Sequence, residues 1–496
     1  MRYPLLLLAL AASVCVVCAR PFSVVVYNVE NLFDADGVAA YDDYQPADYT
    51  PAHLATKLVN IARVLATVDN GAGPDIIIFC EIEADQTPGS TVSDVPNWLA
   101  RHEGKTVATL LAQAPLPPEL AGVPAEVWLQ KALSDSGLHG YAVVDGADRT
   151  TAQLAVKCVI FSRFPVKHVR LHPTQNARPI VEAELEVEGC PLYVFGNHWK
   201  SGASDAATEV DRRANARTLR SRLDEILAVD ANADIIIGGD LNSHYNQRER
   251  YRELRKTGIN DVLGSQGNEL ALRGKDRDLY NLWFELPSDA RGSDVFKGEW
   301  GTLMNILLSR GLYDQRGVQY EDNSFSVMKI TGLNADVLGL PQRWKPMPAP
   351  GSGFSDHFPL YARFRTVTDN RADRWMPLTK PNTDEHAVTT LKVDYAPVEL
   401  FKTALKPVEL PKGTDLRDGS FKGKIFYITA PGFLNDKGYV QVTVLGQDYE
   451  VYSHKKTIRD DLRARVRAGQ ELKFYGELGT FKGTWQFVVQ GKEWVK

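Results

Sequence analysis

The chain has 496 residues, of which 44% are hydrophobic and 24% charged, and its formal net charge is −5. This composition excludes a disordered or low-complexity chain, and the length suffices for two domains. Its five cysteines are too few for a disulfide framework. Residues 401–496 contain 17 Lys and Arg against 11 Asp and Glu, a balance of +6, so residues 1–400 carry −11. An acidic body followed by a basic segment indicates two separate tasks.

The first 19 residues have the pattern of a secretory signal peptide. Arg2 supplies a positive start, residues 5–17 are apolar, and Val17-Cys18-Ala19 offers a small-residue cleavage site. The alternative is a membrane anchor, but the apolar run is short for a bilayer span. We therefore predict an exported protein, secreted or periplasmic, whose mature chain begins at residue 20 and makes no stable membrane insertion.

A strand, an acidic loop, a helix and a second strand come first in chain order. The first strand is predicted at 22–28, and the acidic loop after it contains Asp34, Asp36, Asp42, Asp43 and Asp48. Thr50-Pro51 predicts a helix start, because threonine caps well and proline is favoured at the first helical position. The next predicted strand is Ile76 to Cys80. A second clear helix is predicted to open at Thr208, with Asp211 at the reciprocal capping position.

The pattern changes after the last predicted strand of the acidic body. Residues 367–400 contain prolines and charged residues without sustained periodicity, which indicates a linker. From residue 401 onward, five strand patterns surround one helical segment, Ile458 to Arg467. Five strands with a helix between the third and fourth are typical of a small OB-like barrel. We predict a catalytic domain at 20–366 and this barrel at 401–496.

Five apolar runs of the chain adjoin polar clusters that can bind phosphate or metal. They are VVVYNVEN from Val24, DIIIFCEIE from Asp75, YVFGNHWKSG from Tyr193, DIIIGGDLNS from Asp234 and GFSDHFPLYARF from Gly353. Polar residues at strand ends point into a shared crevice. In the last run the polar cluster precedes the strand, so this strand must run antiparallel to the others if all share one rim. The sequence therefore predicts a mixed sheet.

Glu81 and Asn28 are candidates for holding a metal ion. Glu81 ends a buried strand, where a carboxylate is costly unless a cation or a salt bridge accompanies it. Mg²⁺ prefers one or two carboxylates together with waters and phosphate oxygens. Asn28 ends the first strand and can orient that carboxylate, or it can cap a loop.

Asp240 and Asn242 belong to the GGDLN segment, where Gly238 and Gly239 permit a tight turn and close approach of a ligand. Asp240 can take a proton from attacking water or hold that water, and Asn242 can donate to a phosphoryl oxygen. The alternative is an ordinary Asx turn.

His198 and the pair Asp356-His357 are candidates for proton transfer. An imidazole at a strand end can donate to a developing phosphorane or protonate a leaving group, although a core histidine is the alternative. Lys200, two residues after His198, is a candidate for phosphate binding. Asp356 can orient His357 or bind metal, or the pair can form a turn before a strand.

Together these motifs resemble the endonuclease/exonuclease/phosphatase superfamily, whose deoxyribonuclease-I-like members hydrolyse phosphate esters. The resemblance covers roughly residues 22–365 and includes Asn28, Glu81, His198, Asp240 with Asn242, and Asp356 with His357. It implies a four-layer α/β sandwich with two packed mixed β-sheets. It also implies Mg²⁺ or Mn²⁺, with Ca²⁺ as an option, held mainly by Glu81. Asp240 would align water for in-line attack, the two histidines would bind the scissile phosphate, and Arg178 would contact it.

One position departs from the superfamily pattern. A late segment of the form (Leu/Ile)-Asp-x-Ile-x-x-Ser carries an aspartate that supports the last histidine, and here Met304 occupies the acid's position. Asn305 should face the opposite side of the strand. We therefore predict a less basic and looser His357, with reduced activity or a shifted pH optimum.

The preferred function is a metal-dependent endonuclease acting on DNA or RNA. OB folds bind single strands through aromatic faces and basic grooves, and the tail contains both residue types, although core packing and a solvated helix face are the alternative. The other hypotheses are a phospholipid (sphingomyelinase-like) or inositol-phosphate phosphoesterase, and a binding protein with weakened catalysis. Nothing in the sequence implies a protein partner.

Overall fold

The structure is a computed structural model that describes residues 20–85, 87, 90–147, 154–275, 277–383, 390–481 and 483–496. The predicted signal peptide lies outside these residues. Among the helices that the structure describes, none combines the length and apolar character needed to cross a bilayer.

The described residues form ten α-helices and twenty-one strands. In chain order the helices are α1 (Pro51–Leu65), α2 (Val95–Arg101), α3 (Val107–Leu111), α4 (Pro118–Ala121), α5 (Ala125–Asp135), α6 (Ala206–Val229), α7 (Gln247–Arg250), α8 (Glu269–Leu272), α9 (Val398–Lys402) and α10 (Lys456–Arg467). The strands are β1 (Pro21–Leu32), β2 (Ile76–Glu83), β3 (Ala142–Asp145), β4 (Val156–Ser162), β5 (Val166–His172), β6 (Ile180–Val187), β7 (Cys190–His198), β8 (Ile235–Asp240), β9 (Ser265–Gln266), β10 (Leu279–Asn281), β11 (Asp294–Phe296), β12 (Glu299–Gly301), β13 (Met304–Leu308), β14 (Asp314–Tyr320), β15 (Ser326–Val327), β16 (Leu360–Trp375), β17 (Ile425–Leu434), β18 (Val440–Val444), β19 (Gln447–Tyr452), β20 (Glu471–Phe481) and β21 (Thr484–Val488).

Two mixed sheets form the body of the protein. The first has the strand order β14-β16-β1-β2-β4-β3, with β15 beside β16, and the second has the order β5-β6-β7-β8-β13-β10-β9. β1 runs parallel to β2 and antiparallel to β16, while β8 runs parallel to β7 and antiparallel to β13. The predicted antiparallel last strand and the mixed character of the sheet are therefore confirmed.

The sheets pack face to face, and helices cover their outer faces. Inward residues of both sheets, such as Val26, Ile78, Val194 and Ile306, share one fully buried core. The opposite face of the first sheet packs against α1, α3 and α5, and that of the second packs against α6. These layers confirm the predicted four-layer α/β sandwich.

Gly238 lies against the facing sheet at close range. A Cβ atom at this position would lie 2.6 Å from Cδ1 of Ile78 and 2.7 Å from Cγ2 of Val26, both on the facing sheet. The next residue, Gly239, has a φ of +137°, and a Cβ there would lie 2.0 Å from the carbonyl oxygen of Asn197. Both glycines therefore make room for neighbouring strands, and the predicted close approach of a ligand stays a prediction.

Two helix starts test the capping signals. α1 begins at Pro51 directly after Thr50, as predicted. α6 begins at Ala206, because the carboxylate of Asp205 accepts the backbone N–H of Ala207 at 2.8 Å. The predicted start at Thr208 is therefore wrong, and Asp211 instead accepts a hydrogen bond from the side chain of Asn176.

Strand structure continues into the predicted linker. β16 extends to Trp375 because its second half pairs with β14, an edge strand that the local pattern did not reveal. Asn382 then donates its backbone N–H to Glu269, and Val393 is buried near Trp300. The described part of residues 367–400 therefore packs largely against the region that contains the two sheets. The predicted domain boundaries at residues 366 and 401 stay a prediction.

The C-terminal segment forms a closed barrel with the order β17-β18-β19-β21-β20, and α10 lies between β19 and β20. The predicted five strands and the helix between the third and fourth are confirmed, and the OB-like assignment stays a prediction. Many of its aromatic residues fill the barrel, among them Phe426, Tyr449, Phe474 and Phe487. Tyr439 is 42% exposed and lines a cleft together with Tyr452 and Lys437. The aromatic surface available to a ligand is therefore smaller than the composition indicates.

A Gly238→Ala variant tests the close approach of the sheets. We expect a loss of about 1–3 kcal/mol in the free energy of unfolding, because the new methyl group overlaps Ile78 and Val26. Urea unfolding followed by circular dichroism measures this loss. Gly274→Ala is the matched control, since its nearest neighbour would be 3.9 Å away. Equal midpoints for the two variants would show that the sheets have more room than the coordinates indicate.

Candidate active site

Glu81 reaches the site through a distortion of its own strand. Its φ is +66°, and the pairing register between β2 and β4 shifts between Cys80 and Ile82. A left-handed backbone costs a non-glycine residue about 1–2 kcal/mol and persists where surrounding structure enforces it. Here the backbone N–H of Asn31, itself at φ +60°, donates to Oε2 of Glu81 at 3.1 Å. The two strand ends therefore hold the carboxylate between them.

Asn28 joins the carboxylates of the two sheets. Its Nδ2 donates to Oε1 of Glu81 at 2.9 Å and to Oδ2 of Asp240 at 3.1 Å. Its Oδ1 accepts the backbone N–H of Glu30 at 3.0 Å. These hydrogen bonds orient the carboxylate of Glu81, which is one of the two roles predicted for Asn28. Direct metal binding by Asn28 stays a prediction.

His198 and Asp240 end the neighbouring parallel strands β7 and β8, where they are register partners. Nε2 of His198 lies 3.8 Å from Oε1 of Glu81 and 4.0 Å from Oδ2 of Asp240. Burial lowers the pKa of His198 well below its usual range, and the positive charge of Arg178 adds to this effect. The neutral form of the His198 imidazole is therefore favoured.

His357 closes the cluster from the segment before β16. Its Nε2 lies 3.9 Å from Oδ2 of Asp240 and 3.7 Å from Oδ1 of Asp356. Burial lowers the pKa of His357, but the surrounding carboxylates outweigh this effect and raise the pKa to about 9. The two site histidines thus differ in charge, one neutral and one protonated at pH 7.

Asp294 is the residue that the sequence analysis missed. It is buried on β11, which pairs with the backbone of His357, and its Oδ1 lies 4.0 Å from Nδ1 of that histidine. Burial raises the pKa of Asp294 to about 6, an effect that the charge of His357 opposes. No local signal could have indicated this role. The strand β11 is only three residues long, and its pairing with His357 joins residues that are far apart in the sequence.

Although Met304 carries no charge, His357 still has a supporting carboxylate beside it, that of Asp294. The predicted less basic His357 is wrong, because Asp294 supplies a carboxylate from another strand. Met304 is fully buried beside Asp240, and its sulfur accepts the backbone N–H of Asn28 at 3.3 Å. It therefore packs beneath the site. A carboxylate at this position would add a further buried negative charge next to Asp240.

The remaining predicted residues surround the cluster. The backbone N–H of Asn242 donates to Oδ1 of Asp240 at 2.8 Å, and its side-chain amide donates to the carbonyl of Trp199 at 3.1 Å, so Asn242 supports Asp240. Lys200 donates its backbone N–H to Asn215. Asp356 also lies 3.5 Å from Arg343, which the sequence analysis did not single out. The catalytic, substrate-binding and metal-binding roles assigned from sequence stay predictions.

The donor set fits a hard divalent cation. Ligand atoms of Glu81, His198 and Asp240 all lie within 4.8 Å of one another. Burial, followed by the charge of Asp356, raises the pKa of Glu81, which shows that the carboxylates repel one another. Nδ1 of His198 and Nδ1 of His357 are both buried without a hydrogen-bond partner among the described residues. A cation bound by Glu81 would offset the repulsion among the carboxylates.

Comparison with solved structures gives matches of low sequence identity. TDP2 from C. elegans is 16% identical, with 69% of this chain and 75% of that chain covered and a TM-score of 0.35. Sphingomyelinase C from Streptomyces griseocarneus is 14% identical, with 70% and 100% covered and a TM-score of 0.38. Beta toxin from Staphylococcus aureus is 15% identical, with 69% and 99% covered and a TM-score of 0.36. A search of curated proteins gave no match.

The sequence also matches a family profile in two segments. Residues 23–104 and 141–366 match the Endonuclease/Exonuclease/phosphatase family, and these segments contain all the site residues described above. The match spans more than half of the chain and stops before the C-terminal barrel. The protein therefore belongs to the endonuclease/exonuclease/phosphatase family.

Proposed function

We propose that this protein is an exported, divalent-metal-dependent phosphodiesterase that cleaves nucleic acid as an endonuclease. Members of its family are metal-dependent phosphoric ester hydrolases. The observation that carries the proposal is the convergence of four side chains: Nε2 of His198 lies 3.8 Å from Glu81 and 4.0 Å from Asp240, and Nε2 of His357 lies 3.9 Å from Asp240. Such a group can bind, polarise and protonate a phosphate ester without further cofactors besides the cation.

Each side chain has a distinct part in this proposal. Glu81 would hold the cation, Mg²⁺ in the first place, which neutralises charge on the phosphate and polarises the ester bond. Asp240, fixed by Asn28 and Asn242, orients a water molecule and takes its proton. The neutral His198 donates a hydrogen bond to a phosphoryl oxygen. The protonated His357 stabilises developing negative charge, and it can give a proton to the leaving oxygen.

The barrel supports nucleic acid over a small substrate. It carries a net charge of +6 within residues 401–496, whereas the preceding 400 residues carry −11. An acidic body repels a polyanion, and a basic barrel offsets this repulsion. Tyr439 and Tyr452 line a cleft where bases can stack, and the charged residues Lys437, Asp436 and Glu450 line it too.

A phospholipid substrate is the second candidate, and one observation favours it. β11 and β12 form a hairpin whose turn exposes Phe296, with 68% of its surface accessible and Nζ of Lys297 5.0 Å from the ring centre. The sequence analysis did not identify this apolar hairpin. Because Asp294 lies on the same hairpin, a membrane contact here would bring the site close to lipid headgroups.

Substrate class and metal dependence can be tested together. We expect the wild-type protein to cleave plasmid DNA or RNA with Mg²⁺ or Mn²⁺ and to stop when EDTA is added. Glu81→Gln should lower the rate by about 100-fold or more, because the main cation ligand is lost. Glu103→Gln, an exposed acid, is the matched control.

The same screen includes sphingomyelin vesicles and a chromogenic phosphodiester. Cleavage of sphingomyelin without cleavage of nucleic acid would replace the endonuclease proposal by the phospholipid candidate. Absence of metal-dependent cleavage of all four substrates would contradict both and favour a binding protein.

An Asp294→Asn variant tests the support of His357. Removing this negative charge lowers the pKa of His357, so its protonated form is lost at a lower pH. We expect the alkaline limb of the kcat profile to move to lower pH and kcat to fall by about 10–100-fold, with a smaller change in KM. Asp289→Asn is the control, because this acid is exposed nearby. An unchanged pH profile would show that Asp294 has only a packing role.

A Tyr439→Ala variant tests the barrel cleft. Loss of one stacking ring should raise KM on single-stranded nucleic acid by about 5–100-fold, while kinetics on a small chromogenic phosphodiester stay the same. Tyr439→Phe keeps the ring and should behave as wild type. Equal KM values for the alanine and phenylalanine variants would argue against stacking in this cleft.

A further inference from the structure

A second carboxylate cluster lies outside the active site, between the loop after β1 and the segment after β2. It consists of Asp34, Asp36 and Asp85, whose ligand oxygens all lie within 4.8 Å of one another. Two oxygens bound to one Ca²⁺ at about 2.4 Å can be separated by at most about 4.8 Å. The three carboxylates are therefore already at the spacing that one ion requires.

Two oxygens of this cluster are buried and unpartnered. Asp34 is only 5% exposed; its Oδ1 accepts the backbone N–H of Asp36 at 3.0 Å, but its Oδ2 has no hydrogen-bond partner among the described residues. Oδ2 of Asp85 is likewise buried without a partner there, although Oδ1 accepts the backbone N–H of Thr87 at 2.8 Å. Buried carboxylate oxygens without donors are costly and rare, so both point to a missing cation.

A further acidic residue adjoins the cluster, and Lys157, whose charge acts on that residue, is paired with two other acids. Glu83, 4% exposed, accepts the backbone N–H of Asp34 at 2.8 Å and so adds a fourth carboxylate. Nζ of Lys157 is shared between Glu126 at 3.1 Å and Asp145 at 2.9 Å.

We propose that Asp34, Asp36 and Asp85 bind one Ca²⁺ ion at a site separate from the catalytic cluster. The donors are carboxylate oxygens, the hard ligands that this ion prefers, and Ca²⁺ accepts six to eight of them in flexible geometry. Mg²⁺ retains several waters and commonly uses one or two carboxylates, so it suits this crowded group less well. The proposal does not depend on the chemistry of the active site.

The ion would connect the two strand ends that carry the catalytic carboxylate. Asp34 follows Asn31, whose N–H donates to Glu81, by three residues, and Asp85 follows Glu81 by four residues. Without the ion, the carboxylates of the two segments repel each other. With it, the segments are held together, so Ca²⁺ stabilises the backbone that positions Glu81.

The test measures Ca²⁺ binding by calorimetry on the full chain carrying Glu81→Gln, at saturating Mg²⁺. We expect one Ca²⁺ per chain and a rise in the unfolding temperature when Ca²⁺ is added. Adding Asp36→Asn to this protein should weaken Ca²⁺ binding by at least about 10-fold and remove the thermal response. Asp48→Asn, an exposed acid in the same loop, is the matched control and should keep both.

A metal-free comparison gives an independent readout. Without Ca²⁺, Asp36→Asn should unfold at the same or a higher temperature than its parent, because one repelling charge is gone. Asp85→Asn should behave in the same way, and it replaces Asp36→Asn if that variant fails to fold. Undetectable Ca²⁺ binding by the parent, or equal affinity in the parent and in both variants, would overturn the proposal.

Discussion

The close packing of carboxylates at the meeting edge of two sheets is the constraint on which this structure depends. Glu81 comes from the first sheet and Asp240 from the second, and the amide of Asn28 donates to both. Like charges this close destabilise a fold unless hydrogen bonds and cations offset them. The protonated His357 supplies part of that compensation. A divalent cation would supply the rest, so metal binding and folding of this edge are physically linked.

The asymmetry between the two histidines follows from their surroundings. Burial and then the charge of Arg178 lower the pKa of His198, whereas the nearby carboxylates of Asp356, Asp294 and Asp240 raise the pKa of His357. Two otherwise identical side chains thus differ in how readily they hold a proton, and this difference comes from their environments.

The site also shows how a family pattern can be satisfied by a different residue. The aspartate expected at position 304 is absent, and the sulfur of Met304, which stands in its place, accepts the backbone N–H of Asn28. Asp294, on a short hairpin strand, brings a carboxylate to the same imidazole from another direction. The charge near the histidine is what matters physically, and its position along the chain is free to vary. The hypothesis of a catalytically weakened protein therefore loses its main support.

Local sequence determined much of the framework. Apolar runs bounded by polar residues located β1, β2, β7, β8 and the antiparallel β16, because buried strands require such runs whatever their partners. The same runs identified Asn28, Glu81, His198, Asp240 and His357, since each lies next to a strand end. Only the tertiary structure decided that Asp294 supports His357, that Gly238 faces the other sheet, and that Asp34 and Asp85 share a cluster. These relations join segments distant along the chain, and no local pattern encodes which distant surfaces will meet.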